Sequence, residues 1–162
     1  MRYMTIIPAS SVDFNEGWST VLQVSGCSHK CEGCFNKASW NKNSGQEFNE
    51  EAYQELYEAA SKSFISNIVF QGGDCMFSSN VLPSISLFRR LRKELPSKRL
   101  VMFTGLTYKQ IQDDLLRQPC LLELDYLMDG KYIKDLPTDK TGRGSSNQIL
   151  HKIVDGISIS QN

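Results

Sequence analysis

NIVFQGGD, residues 67–74, is a short apolar run closed by a glycine pair and an acid. Asn67 followed by three apolar, β-favouring residues is too short a run for a helix and suits a strand buried on both faces, with the glycines ending it in a turn. The phrase recurs. Leu100-Val101-Met102-Phe103 runs into Thr104-Gly105, Tyr126-Leu127-Met128 into Asp129-Gly130, and upstream Thr20-Val21-Leu22-Gln23-Val24 runs into the loop that begins at Gly26. Between these runs the apolar spacing turns helical. From Asn49, Tyr53, Leu56, Tyr57 and Ala60 share one face, with Glu50 and Glu51 in the first turn. Phe88, Leu91 and Leu95 mark a second helix stopped by Pro96, and Thr107 with Gln110 forms a capping box opening a third that carries Ile111 and Leu115. Strand, glycine loop and helix in repetition predict an α/β fold with a mostly parallel sheet and right-handed crossovers. A complete eight-fold barrel takes about 250 residues. A chain of 162 is therefore expected to form a partial, TIM-like βα barrel as a single domain over residues 1–162, with no repeat or linker to divide it. In such folds the loops after the strands meet at one end, which here brings CSHKCEGC, QGGD, FTGLT and MDGK to one mouth.

A chain of this length buries roughly 70% of its unfolded surface and needs no staples. Eighteen Lys and Arg balance eighteen Asp and Glu, interspersed except for Arg89, Arg90, Arg92 and Lys93, which speaks against a nucleic-acid or membrane surface. No stretch approaches the ~20 apolar residues of a membrane span, and the N-terminus has no long apolar run after a basic stretch, so a cytoplasmic protein is expected. Its five cysteines are odd in number, and Cys27, Cys31 and Cys34 sit too close together for a disulfide framework. A reducing compartment would leave them free for a metal.

Three clustered thiols leave two chemistries to weigh. A structural zinc needs four ligands in a closed tetrahedron. No second C-x-x-C pair exists, so the fourth ligand would have to be His29, which lies between two of the cysteines without zinc-finger spacing, or Cys75, or Cys120, which follows Pro119 in a helix-to-strand connection. A four-iron cube has one external ligand per iron, so three cysteines hold three corners and leave the fourth iron open to a small molecule. A tight loop also aims backbone N–H groups at the sulfurs.

Cys27-x3-Cys31-x2-Cys34 at the end of a strand resembles the signature of the radical S-adenosylmethionine enzymes. The likeness extends along the chain. Gly26 to Asn36, Trp40, Asn43-Ser44-Gly45-Gln46, Gly72-Gly73-Asp74, Thr104-Gly105, Asp129-Gly130-Lys131-Tyr132 and Gly144-Ser145-Ser146-Asn147-Gln148 resemble the activating proteins of anaerobic (class III) ribonucleotide reductases. That resemblance implies a 4Fe-4S cluster on Cys27, Cys31 and Cys34, whose open iron chelates S-adenosylmethionine. One electron then cleaves the sulfonium to methionine and a 5'-deoxyadenosyl radical. It implies as partner the reductase large subunit, which receives a glycyl radical. An electron donor such as flavodoxin and a homodimer within a two-plus-two complex belong to the same expectation. An activator of another glycyl-radical enzyme, of the pyruvate formate-lyase type, is the nearest alternative, and the DGKY and RGSSNQ blocks argue against it. A zinc-stabilised interaction module and an iron-sulfur electron carrier are the rivals from other classes.

By resemblance, Gly33 and Phe35 flank the last ligand and touch S-adenosylmethionine. Gly73 lets the backbone approach its amino group. At the same mouth, Asp74 is open between accepting a hydrogen bond from that ammonium and being a solvated loop acid, and Thr104 with Gly105 between lining the adenosine site and forming a strand-capping turn. Asn147 and Gln148 serve the site or the partner. Cys75 stands where the family commonly has proline, and is not expected to be a ligand. Trp40 is open between loop and core, while His29, Cys120 and His151 receive no role.

Overall fold

Residues 1–14, 16–139 and 142–161 are described by a computed structural model. They form one eight-stranded sheet in the order β3-β1-β2-β4-β5-β6-β7-β8. Its centre is the predicted part. Strands β2 (Trp18–Val24), β4 (Ile65–Gly72), β5 (Arg99–Phe103) and β6 (Tyr126–Asp129) pair in parallel. Helices α1 (Glu50–Ser61) and α2 (Val81–Glu94) make the connections between β2, β4 and β5, and α3 (Tyr108–Gln112) with a 3-10 turn at Gln118–Leu122 leads from β5 to β6.

The period of two along each strand sorts its side chains onto two faces. Leu22, Ile68, Phe70, Leu100, Met102 and Leu127 join Leu56, Phe88, Leu91 and Ile111 from the helices in the main core, with the Phe70 and Phe88 rings 4.6 Å apart. Val21, Val69 and Val101, adjacent in register, face the other way and are covered by Phe14 from the segment between β1 and β2. All three helices thus pack on one face. One step further along the strands, on the opposite face, Gln23, Gln71 and Phe103 open into a cavity.

Local signals hold at the helix starts. The Asn49 side chain accepts from Ala52 N, and Thr107 with Gln110 closes the capping box. The third helix is shorter than expected. It ends at Gln112 with Asp113 as its cap, and Leu115, read as part of its apolar face, is 87% exposed. Aspartates at 113 and 114 explain the stop, because Asp114 Oδ1 accepts from the backbone of Leu116 and Arg117 and draws the chain into a turn.

Antiparallel strands flank the parallel centre, so the sheet is less uniformly parallel than the βα grammar suggested. Strand β1 (Arg2–Ser10) pairs with β2 and with the two-residue β3 (Gln46–Glu47). Pro8 is tolerated because β3 reaches only Arg2 and Tyr3, leaving the rest of that edge without a partner needing its N–H. At the other side β7 (Ile149–Val154) and β8 (Ile157–Gln161) form a hairpin whose turn is Asp155-Gly156, both left-handed at φ +50° and +78°. Asp-Gly is the two-residue hairpin signal, so this strand pair was readable. The sheet is not closed.

Candidate active site

The cysteine loop leaves β2 at Val24 and is held from both sides by backbone bonds. Gly26 N donates to Ser39 O (2.7 Å) and Cys27 N to Trp40 O (3.1 Å), from the 3-10 turn Lys37–Trp40. Trp40 is half-buried in that turn, so it is neither a free loop aromatic nor core. On the opposite side Gly73 N donates to Val24 O (2.7 Å) and Asp74 N to Gly26 O (2.8 Å). A Cβ at Gly73 would stand 2.7 Å from Gly26 O and 2.9 Å from Val24 O, a clash with backbone that only glycine avoids.

Cys27, Cys31 and Cys34 are free thiols, each half-buried, and all three line one cavity of about 650 Å³. Burial pushes the Cys27 thiol up, while the backbone N–H groups of His29 and Lys30, donating to its sulfur, pull the other way. Asn36 N donates to Cys34 Sγ at 3.4 Å. Lys30 holds a left-handed φ of +48°, uncommon for a residue with a side chain, and this turns the chain between the first two cysteines. Among the described residues, no three His, Cys, Asp or Glu side chains converge on a single ion. Three free cysteines on one loop, with a backbone amide donating to sulfur, fit the demands of an iron-sulfur cluster.

The same cavity is lined by Phe35, Gly73, Asp74, Thr104 and Gly105, and by Gly130 and Tyr132 after β6, so four loops meet at one mouth as the βα order predicted. Phe35 is 92% exposed there, its ring 5.9 Å from that of Tyr132. Gly33 departs from the expectation: it does not line the cavity but backs onto the Lys134 stem, 3.1 Å from where its Cβ would be. Asp74 lines the cavity, yet its carboxylate is taken up by the protein. It accepts from Met76 N (2.7 Å), Thr104 Oγ1 (2.9 and 3.0 Å) and Gly105 N (3.3 Å), and lies 2.7 Å from His29 Nε2. Thr104 in turn spends its hydroxyl on Asp74.

Asn147 and Gln148 act as staples. Gln148 Oε1 accepts from Gly144 N and Ser145 N, and its Nε2 donates to Gly130 O, while Asn147 Nδ2 donates to Lys131 O. They bind the loop after β6, with Tyr132, to the loop before β7, and Arg143 and Gly144 from the latter also face the cavity. Cys75 and Cys120 lie in the main core, fully buried, with burial pushing both thiols up, Cys120 to about 12. Neither lines the cavity.

Comparison with known proteins shows the family. Residues 15–151 match the family model described as a 4Fe-4S single cluster domain. The anaerobic ribonucleoside-triphosphate reductase-activating protein of Enterobacteria phage T4 is 37% identical over 157 residues, covering 97% of each chain. Those of Escherichia coli K12 and Pasteurella multocida are 33% and 32% identical, each covering about 95% of this chain and 99% of its own. The chain belongs to the family of anaerobic ribonucleoside-triphosphate reductase-activating proteins. Within this activating-protein family, the matched region spans all four loops of the mouth, from the cysteine loop to the Gln148 staple. Sequence reading left several cavity-side residues unassigned, among them His29, Gln23 and Gln71. The two glutamines sit side by side in register, and a polar residue repeated at the mouth end of two apolar strands was the available signal. No helix among the described residues is long and apolar enough to cross a membrane.

Proposed function

We propose that this chain is an activating enzyme that holds a 4Fe-4S cluster on Cys27, Cys31 and Cys34, binds S-adenosylmethionine beside it, and generates a glycyl radical on the large subunit of the anaerobic ribonucleotide reductase. The observation that carries this reading is the meeting of three free cysteines from one loop with two glycine loops around one cavity. When bound, the cluster and S-adenosylmethionine supply the redox chemistry, one electron cleaving the sulfonium to a 5'-deoxyadenosyl radical that takes a hydrogen atom from glycine.

The protein's share is placement. Backbone N–H groups of His29, Lys30 and Asn36 stabilise thiolate charge at Cys27 and Cys34. Gly73, lacking a side chain, presents backbone to the amino acid end of S-adenosylmethionine. Thr104 and Gly105 border its adenosine end, and Asp74 supports both loops from behind. Phe35, exposed beside Tyr132, is an apolar wall for S-adenosylmethionine or for the incoming polypeptide. The same reading takes the open sheet, with helices on one face and loops gathered at one end, as a segment of a βα barrel of the radical S-adenosylmethionine type. Its unclosed side leaves room for a polypeptide loop. A reduced flavodoxin as electron donor, a cytoplasmic setting and a two-plus-two complex complete the proposal.

The test is 5'-deoxyadenosine formation by anaerobically reconstituted protein with a strong reductant, followed by electron paramagnetic resonance of the mixed reductase for a glycyl radical. Product is expected from the wild type and none from Cys31→Ala. One zinc per chain, with neither iron nor sulfide, would refute the reading in favour of an interaction module.

A further inference from the structure

We propose that His29 is a positioning residue that locks the cysteine loop to the two glycine loops facing it, with Asp74 as the keeper. The inference rests on the reading above that these loops hold a cluster and S-adenosylmethionine.

Three loops meet at the Asp74 carboxylate. Its oxygens accept from Thr104 Oγ1 and Gly105 N of the loop after β5, and from Met76 N of its own loop. The cysteine loop joins through His29 Nε2 at 2.7 Å, the two side chains being only 10% and 3% exposed. A carboxylate can only accept here, so Nε2 is the nitrogen that carries the hydrogen. The imidazole also lies flat against the turn at Gly105, where a Cβ would stand 2.3 Å from His29 Cδ2. Between Cys27 and Cys34 the other side-chain ion pair among the described residues is the exposed Glu32–Lys134 pair at 3.6 Å, too long and too wet to fix a loop.

The lock acts on the chemistry through the backbone. His29 and Lys30 turn their N–H groups toward Cys27 Sγ, and Lys30 keeps its left-handed φ only while the surrounding loop enforces it. Fixing the His29 ring therefore fixes the amides that face a cluster sulfur. It also sets that sulfur's distance from the Gly73 and Gly105 backbone, against which S-adenosylmethionine would lie. A histidine that merely filled space would be replaceable by any residue of similar bulk. A lock requires an N–H at the position of Nε2, which glutamine can supply and alanine cannot.

The experiment compares reconstituted wild type, His29→Ala, His29→Gln and Gly105→Ala. Iron and sulfide content, S-adenosylmethionine affinity from the spectral change of the reduced cluster, and cluster midpoint potential are measured for each. Wild type that binds no cluster or no S-adenosylmethionine would defeat the proposed function itself, independently of His29. Given a competent wild type, His29→Ala is expected to bind S-adenosylmethionine at least about tenfold more weakly, the loss of one charge-assisted hydrogen bond, and to shift the potential. His29→Gln is expected to recover most of both. Gly105→Ala keeps the histidine but pushes its ring off Asp74, so it should behave like His29→Ala even if that variant folds poorly. Wild-type affinity in His29→Ala or in Gly105→Ala, or a Gln variant no better than Ala, would overturn the lock.

Discussion

Replacing Gln148 with alanine should loosen one wall of the mouth without touching a proposed ligand. Three hydrogen bonds are lost: from Gly144 N (2.9 Å) and Ser145 N (3.1 Å) to Oε1, and from Nε2 to Gly130 O (2.9 Å). Gln148 and Ser145 are buried, so water replaces these partners poorly. At about 1 kcal/mol net for each bond the loss is about 3 kcal/mol, or roughly a hundredfold in the local opening equilibrium. Hydrogen exchange read by mass spectrometry on the apoprotein is the assay. Peptides covering residues 142–148 and 130–134 should exchange faster by up to that factor, while peptides from β4 and β5 stay unchanged. Gln148→Glu should fall between, because it keeps an acceptor for the two amides but turns a second oxygen toward Gly130 O. Unchanged protection at Gly144 and Ser145 in the alanine variant would show that the staple does not hold the loop, and the reasoning would fail.

Alkylation of the apoprotein should label Cys31 and Cys34 readily, Cys27 more slowly because burial raises its thiol, and Cys75 and Cys120 only after unfolding. Peptide mapping reads this directly, and native labelling of Cys75 would contradict its place in the core. Cys75→Ala should accordingly keep the wild-type iron content. Phe70→Ala removes a fully buried ring packed on Phe88 and should cost about 3–5 kcal/mol in urea unfolding, with under about 1 kcal/mol counting against the described core. At the surface, Arg90 pairs with Glu50 and lies over the Tyr53 ring, and its hydrogen bond holds the Glu50 carboxyl near 2, against an ordinary 4.5. A depressed carboxylate stabilises the fold above its unfolded value and loses that contribution as pH falls through the folded one. The thermal midpoint of the wild type should therefore fall between about pH 4.5 and 2 more steeply than that of Arg90→Met, and parallel curves would refute the linkage.

Much of the site was legible because it is local. Three cysteines spaced over eight residues will share one loop whatever the rest of the chain does, and a strand ending in Gly-Gly or Thr-Gly carries its own turn. Runs such as Asn67–Phe70 and Leu100–Phe103, apolar on both faces, can only be central strands, and the caps at Asn49 and Thr107 mark helix starts within three residues of themselves. Strand β1 escaped because its apolar patch is short and contains Pro8, and its role depends on which edge faces β3. The end of α3 escaped because Leu115 continued the apolar period while Asp113 and Asp114 were already breaking the backbone pattern.

The sequence by itself determined the parallel centre, the loops that meet at the mouth, the three candidate ligands and the family resemblance, since each rests on residues close together along the chain. Only the tertiary structure decided what Asp74, His29 and Gln148 do. His29 is 45 residues from Asp74, and Gln148 is 18 from Gly130, and a hydrogen bond has no periodicity along the chain to announce its partner. The fold turns a solvated-looking loop acid into a buried junction of three loops, because it brings four donors to one carboxylate.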